Sequence, residues 1–279
     1  MLELPEVLTI SDQLRNAIAG KMVSNVLPPS KVHKFCWYQG DSAEYGAVLA
    51  AHKVTTVDGF GIYVEISFED GYKLCFNDGV NARLLPNEEV PKSYQLLINF
   101  DDGMALVFTV AMYGGIILHR GDYDNEYYQK SKQAISVFSP KFEMHFHKRM
   151  DESKPTLSAK AFMATEQRFP GIGNGVLQDI LFEARIHPKK KLQAMGADEK
   201  ERLLACTVAV LRDMLDKGGR DTEKDIFGNP GRYQTVLSKN TWKAPCPVCG
   251  RVIVKEAYLG GSVYYCPTCQ PTEEKGKQR

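Results

Sequence analysis

The 279-residue sequence predicts an α+β protein: an N-terminal helix and an antiparallel β-sandwich, then a helical domain and a C-terminal zinc-binding β-hairpin. Three observations support this fold class. The first residues have helical periodicity, the next hundred alternate strand-like runs with Asp-Gly turns, and four cysteines cluster near the C-terminus. We expect a β-sandwich domain at 1–122, a helical domain at 123–235, and a zinc hairpin with a polar tail at 236–279.

The opening sequence MLELPEVLTI predicts a helix from about Pro5 to Ala19. Pro5 suits the first helical turn, where its missing N–H leaves no bond unmade, and Glu6 complements the helix dipole. Apolar residues at spacings of three and four form one face of this helix: Val7, Ile10, Leu14 and Ile18. Glu3 lies just outside the helix, where an acidic residue serves either as a cap or as a catalytic carboxylate beside the N-terminus.

The segment from about 23 to 118 consists of strand-like runs separated by tight turns. Runs such as VTTVDGFGIYVEISFEDGYKLCF and YQLLINFDDGMALVFTV are rich in β-branched and aromatic residues. Glu69-Asp70-Gly71 and Asp101-Asp102-Gly103 separate paired runs, which is typical of hairpins. The spacing predicts an antiparallel β-sandwich, and helical patterns dominate from about 123 to 216.

The stretch PGIGNGVLQDILFEARIHP, residues 170–188, places a glycine-rich turn directly before a helix. Backbone N–H groups around Gly173 and Asn174 would then point outward at a helix N-terminus, where an anion such as phosphate binds. A glycine turn that connects two helices without any ligand is the alternative.

Four of the seven cysteines form two Cys-x2-Cys pairs separated by 16 residues: Cys246, Cys249, Cys266 and Cys269. This spacing predicts a closed tetrahedral site for one structural zinc ion. The segment between the pairs predicts a β-hairpin that turns at Gly260-Gly261. Disulfides are the alternative, but nothing in the sequence suggests secretion. The other three cysteines lie among apolar neighbours and are expected to be buried thiols: Cys36, Cys75 and Cys206.

The net charge of +1 means that any nucleic-acid binding depends on local basic patches and not on a global field. The sequence contains no apolar run long enough to span a bilayer and no secretory signal pattern. We therefore expect a soluble, monomeric, cytoplasmic protein, which would lie near the nucleoid if the source is bacterial.

These features occur in the order found in the formamidopyrimidine-DNA glycosylase / endonuclease VIII family, which the chain resembles over nearly its whole length. The resemblance implies a two-lobed repair enzyme with a helix–two-turn–helix domain that binds damaged double-stranded DNA and flips the target nucleotide out of the stack. It assigns phosphate contacts to Lys160, Gly173 and Asn174, and structural zinc to the four clustered cysteines. Met112 and Tyr113 would wedge into the DNA or stack on its bases.

The resemblance also implies a reaction that starts at an N-terminal proline, whose amine attacks the sugar C1′ while a neighbouring glutamate moves protons. Glu3 and Glu6 match that pattern, but Leu2 stands where the proline belongs. A large second residue prevents removal of Met1, so the amine would lie up to ~3.8 Å along the chain from its usual place. Reacting atoms must approach within ~3–3.5 Å, so we expect Met1 and Leu2 to give impaired or altered lyase chemistry.

Other family positions are also changed. The family's strand lysine aligns with Ile62, with Lys53 nearby, and the arginine of its zinc hairpin aligns with Gly261. Its DNA-wedging residues align with Gly79, Met112 and Gly114. The matched and the changed positions together leave two classes of function.

One class is a DNA glycosylase, with or without AP lyase activity, in which Glu3 can activate a water. The other is a non-catalytic binder of damaged DNA. A zinc protein with no nucleic-acid role fits less well, because the turn motif and the zinc hairpin occur together in the family's order.

Overall fold

The computed structural model describes residues 2–121 and 123–272 and confirms the predicted α+β architecture. Met1 and its predicted role therefore lie outside the described residues. The chain forms two compact units, of which the first comprises Met1–Lys132 and Lys217–Arg232 and the second Gln133–Asp216 and Tyr233–Arg279. The domain limits expected at residues 122 and 235 stay a prediction.

The first unit contains a β-sandwich and three helices. The helices are α1 (Leu4–Ile18), α2 (Tyr45–Leu49) and α3 (Glu126–Lys132). The strands are β1 (Val23–Leu27), β2 (Cys36–Tyr38), β3 (Val54–Phe60), β4 (Tyr63–Phe68), β5 (Tyr72–Asn77), β6 (Val80–Pro86), β7 (Leu96–Phe100), β8 (Met104–Val110) and β9 (Gly114–Arg120).

Two sheets face each other across one hydrophobic core. One has the strand order β1-β7-β8-β6 and the other β2-β9-β5-β4-β3. All neighbours are antiparallel except β2 and β9, which run parallel. Phe76 of β5 and Phe108 of β8 meet in this core, with ring centroids 5.2 Å apart. The two predicted Asp-Gly turns connect β4 to β5 and β7 to β8.

Helix α1 begins and ends one residue earlier than the sequence suggested, and its apolar face packs against β3 and β4. Gly59 permits the close approach, because a Cβ at this position would lie 2.5 Å from Oγ of Ser11. Glu3 is the N-cap residue, which is one of the two roles that the sequence left open. The packing brings the N-terminal end of α1 into the core of the first unit, since Leu2 and Val7 both belong to the core cluster.

The second unit consists of helices and a two-stranded sheet: α4 (Phe142–Glu152), α5 (Ala159–Ala164), α6 (Asn174–Glu183), α7 (Ala197–Asp216), β10 (Val254–Tyr258) and β11 (Gly261–Tyr265). Strands β10 and β11 form the expected hairpin, but its turn is Leu259-Gly260 and not Gly260-Gly261. Both turn residues have positive φ, 49° and 73°, as the tightest hairpin turns require. Tyr264 packs against Phe182 of α6, so the hairpin shares a small core with that helix.

Cys36 and Cys75 are buried as expected, whereas Cys206 is only partly buried. In the part of the chain that the structure describes, no helix is both long enough and apolar enough to cross a bilayer.

Candidate functional site

The N-terminal end of α1 holds two buried carboxylates. Glu3 is 3% exposed and Glu6 is 4% exposed. The backbone N–H of Glu3 donates to Oε2 of Glu6 at 3.3 Å, so Glu6 satisfies a donor that the helix start would leave unpaired. Capping explains Glu6 locally, but it does not explain how two acidic side chains are accommodated in the protein interior, where an uncompensated charge is costly.

Arg220 provides the compensating charge. Its Nη1 lies 3.4 Å from Oε2 of Glu3, and its Nη2 lies 2.7 Å from Oε2 of Glu6. Nε and the backbone N–H of Arg220 donate to Oε1 of Glu6 at 3.0 and 3.1 Å. Burial lowers the pKa of Arg220, but the two carboxylates outweigh burial and raise its pKa above the usual value. Arg220 therefore bridges the two buried carboxylates.

Arg220 belongs to the segment Lys217–Arg232, which folds with the first unit although it follows α7 of the second. Ile226 lies in the β-sandwich core, and its carbonyl accepts a hydrogen bond from the N–H of Leu84 at 2.9 Å. Nε2 of Gln13 donates to Oδ2 of Asp225 at 3.1 Å. Sequence reasoning missed Arg220, because its only local signal is a Gly-Gly-Arg run after a predicted helix.

Leu2 is a core residue, 6% exposed, in the same hydrophobic cluster as Val7. Its backbone N–H donates to the carbonyl of Asp78 at 2.7 Å. Burial raises the pKa of the Asp78 carboxyl group. The nitrogen at position 2 is therefore a hydrogen-bonded backbone amide beside the core.

Lys53 lies near the C-terminal end of α1. It forms an isolated bridge with Met22, and the next residue, Val54, accepts a hydrogen bond from Gly20 at 2.8 Å. Both contacts lie beyond the C-terminal end of α1, whose 15 residues span about 22 Å at ~1.5 Å per residue. Lys53 is thus at the opposite end of the helix from Glu3. Ile62 packs against an aromatic cluster and carries no charge.

Met112 and Tyr113, the predicted wedge residues, lie in the loop before β9 and are 69% and 38% exposed. The N–H of Gly79 donates to the carbonyl of Tyr113 at 3.1 Å. A Cβ at Gly79 would lie 2.4 Å from that oxygen, so no side chain fits at position 79 without a shift of the loop. The turn at residues 78–79 thus contacts both Leu2 and the exposed loop at residues 112–113.

In the second unit, Lys160 and Asn174 meet at the turn of the hairpin. Nζ of Lys160 donates to the carbonyl of Tyr258 at 2.7 Å, and burial lowers the pKa of Lys160. Nδ2 of Asn174 donates to the carbonyl of Ser262 at 2.9 Å, while its buried Oδ1 has no hydrogen-bond partner within the described residues. Gly173 is the N-cap of α6, at the helix start that the sequence predicts after the glycine-rich turn. Helices α5 and α6 thus place Lys160 and Asn174 at the same hairpin turn.

The four clustered cysteines converge as the spacing predicts. All four Sγ atoms lie within 4.8 Å of one another. Sγ of Cys246 lies 3.8 Å from Sγ of Cys269, and Sγ of Cys249 lies 3.4 Å from Sγ of Cys266. These separations exceed a disulfide bond of ~2.05 Å and suit four thiolates at ~2.3 Å around one tetrahedral zinc ion. The cysteine pairs therefore fit a closed structural metal site.

A second polar cluster, which sequence reasoning missed, lies on β4, β5, β9 and α3 in the first unit. Glu65 accepts hydrogen bonds from Tyr128 at 2.5 Å and from Lys73 and Lys132 at 3.0 Å. Burial raises the pKa of Glu65, but these hydrogen bonds outweigh it and lower the pKa to about 2. Cys75 and His119 complete a group that could in principle hold a metal. Two ammonium groups already neutralise the carboxylate, so the cluster suits structure better than cation binding.

The comparisons with known proteins agree with this geometry. Residues 244–272 match the zinc finger found in FPG and IleRS, which contains all four clustered cysteines. The formamidopyrimidine-DNA glycosylase of an Exiguobacterium species is 28% identical over 280 residues, which cover 97% of this chain and 99% of that protein. That of a Bacillus cereus strain is 24% identical over 281 residues with the same coverage.

Solved structures give the same fold. The MutM (Fpg) protein of Thermus thermophilus superposes with a TM-score of 0.77 at 23% identity, covering 96% of this chain and 98% of that one. Lactococcus lactis Fpg in complex with abasic-site DNA gives a TM-score of 0.82 at 20% identity, covering 96% and 99%. Fold and cysteine site therefore define a protein of the Fpg fold with a structural zinc finger. The chain is similar to formamidopyrimidine-DNA glycosylases over nearly its whole length.

Proposed function

We propose that this protein is a base-excision repair protein that recognises damaged double-stranded DNA as a monomer. The observation that carries the proposal is the meeting of Lys160, Asn174 and the hairpin turn above a zinc-stabilised core. A relative of the same fold was solved as a complex with DNA that contains an abasic site. Because the similarity to formamidopyrimidine-DNA glycosylases covers nearly the whole chain, DNA is the expected partner.

Lys160 and Asn174 are suited to hold a phosphate beside the lesion. Asn174 is the first residue of the ten-residue helix α6, whose dipole favours an anion, and Lys160 of α5 contacts the same hairpin. Nζ of Lys160 and Nδ2 of Asn174 donate to backbone carbonyls of the hairpin, so a phosphate would exchange these bonds for charge-assisted ones. Such contacts position the duplex without reading its sequence.

Glu3 is the group that would act on the glycosidic bond. Its carboxylate would accept a proton from a water as the water oxygen bonds to the sugar C1′ and the damaged base leaves with the electrons of the broken bond. Arg220 and Glu6 hold Glu3 in place, and the carboxylate of Glu3 would stabilise positive charge at C1′. This step needs no covalent intermediate with the protein.

Amine-based lyase chemistry would be lost or strongly impaired. The amide of Leu2 is hydrogen bonded, its side chain is buried in the core, and Lys53 is too distant to substitute. A second candidate function is damage recognition without catalysis. The pairing of Glu3 with Arg220 favours that candidate, because an ion-paired base is a weaker proton acceptor.

The experiment that tests the proposal incubates the full-length protein with duplexes containing an abasic site, an oxidised purine or an oxidised pyrimidine. Base release, strand cleavage, borohydride-trapped adduct and gel shift are measured together, with Glu3→Gln as the matched variant. We expect release of at least one damaged base without trapping, and loss of that release in Glu3→Gln. Selective binding without release would select the non-catalytic function, and equal binding of damaged and undamaged duplexes would refute both.

A further inference from the structure

An exposed aromatic surface lies on β2 and on the loop before β9. We define it by four side chains, Phe35, Trp37, Met112 and Tyr113, which are 48%, 54%, 69% and 38% exposed. Isolated exposed apolar residues are common, but grouped large ones on a protein surface usually mark a binding site. Neither the zinc site nor the Glu3 cluster uses Phe35 or Trp37.

The aromatic surface is held in place by regular backbone structure. Strand β2 runs parallel to β9, so that Trp37 lies opposite Gly115. The carbonyl of Phe35 accepts a hydrogen bond from the N–H of Gly114 at 3.0 Å. The rings of Trp37 and Tyr113 are tilted by 52° with centroids 6.3 Å apart. Because both rings are supported by one sheet edge, they form a preorganised platform.

The same platform adjoins the N-terminal end of α1. The N–H of Leu2 donates to the carbonyl of Asp78, and the N–H of the next residue, Gly79, donates to the carbonyl of Tyr113. One turn therefore contacts both the residue before Glu3 and the aromatic surface. Gly79 itself has no side chain to insert into DNA, and a Cβ there would collide with Tyr113. The adjacent rings are the groups available for stacking at this place.

Basic residues precede Phe35 in the segment before β2. Lys31 and Lys34 are exposed and His33 is partly exposed. Nζ of Lys34 lies 5.3 Å from the centroid of the Phe35 ring. Aromatic rings that stack bases, beside lysines that attract the phosphate backbone, are the pattern by which proteins bind single-stranded nucleic acid. The surrounding charge thus favours a polyanionic partner over an apolar one.

We propose that the aromatic surface stacks an unpaired DNA base beside the lesion, with Trp37 as the central ring. This inference rests on the proposed function and deepens it, because it names DNA with locally unstacked bases as the substrate class. A base that loses its partner by nucleotide flipping exposes a π-face, and the Trp37–Tyr113 platform would cover it. Lys31 and Lys34 would contact the flanking phosphates.

The experiment uses the full-length protein and a duplex with a tetrahydrofuran abasic analogue, with the undamaged duplex as reference. Trp37 and Trp242 are the two tryptophans, so Trp242→Phe leaves Trp37 as the sole indole reporter. Fluorescence of that variant is followed during titration with each duplex. Dissociation constants are then measured by anisotropy for Trp37→Ala, for the conservative Trp37→Phe, and for Val32→Ala, which truncates an exposed non-aromatic neighbour.

We expect quenching of Trp37 by the abasic duplex and a loss of affinity of about fivefold or more in Trp37→Ala, as base–aromatic stacking implies. Trp37→Phe should restore most of the affinity, Val32→Ala should change nothing, and undamaged duplex should bind all variants alike. If the wild type prefers the abasic duplex but Trp37→Ala binds it with the same affinity, the stacking role of Trp37 is refuted and the proposed function stands. Absence of that preference in the wild type would instead refute the proposed function.

One further result would overturn the inference. If sedimentation shows a wild-type dimer that Trp37→Ala dissociates, the aromatic surface is an interface between copies of this chain.

Discussion

Arg220 should be the most sensitive single position in the first unit. Arg220→Met keeps much of the side-chain volume but removes the only described cation paired with Glu3 and Glu6. Because Arg220 is 3% exposed, water compensates little of the lost interaction. Breaking a buried ion pair by removing one partner costs about 3–5 kcal/mol. That loss is a large part of the roughly 5–15 kcal/mol that stabilises a typical domain.

The assay is urea unfolding followed by circular dichroism, combined with hydrogen exchange of the α1 amides, because two compact units need not unfold together. Arg220→Lys should lose less stability than Arg220→Met, because lysine keeps the positive charge although it lacks the planar guanidinium that contacts both carboxylates.

A combined variant supplies the control. Adding Glu3→Gln and Glu6→Gln to Arg220→Met should recover much of the lost stability, because no buried charge then lacks a partner. A loss below about 1 kcal/mol in Arg220→Met, the ordinary value for an exposed pair, would contradict the buried-charge argument.

Three further predictions concern the metal, acid stability and the N-terminus. Cys249→Ser should lose one zinc ion per chain by metal analysis and disorder the hairpin, while the β-sandwich stays folded. The pKa of Glu65 is lowered to about 2, against ~4.3 in the unfolded chain. Glu65 therefore stabilises the fold by about 3 kcal/mol above pH ~4.3, and this stabilisation is lost as the pH falls toward 2. In acid, the free energy of unfolding should depend less on pH in Glu65→Gln than in the wild type, and equal slopes would contradict this. Leu2→Pro should permit removal of the first methionine and raise borohydride trapping with abasic DNA above the wild type. Strong trapping by the wild type would instead show a different nucleophile.

Local sequence patterns determined the secondary structure and the metal site. The period of three to four in α1 specifies a helix because consecutive turns share one buried face. Asp-Gly turns specify hairpins because they tolerate the backbone that tight turns require. The two Cys-x2-Cys pairs specify zinc because each pair supplies two thiolates within one turn of chain. The residues that form each of these patterns lie within about 30 positions of one another in the sequence.

Only the tertiary structure decided what surrounds Glu3. Arg220 is 214 residues from Glu6 in sequence, and nothing local indicates that its segment folds against α1. The sequence placed Leu2 at a nucleophile's position, whereas packing makes it a core residue with a bonded amide. Trp37 meets Tyr113 only because β2 lies beside β9. Such contacts depend on how distant segments pack, and a single sequence records the side chains but not their partners.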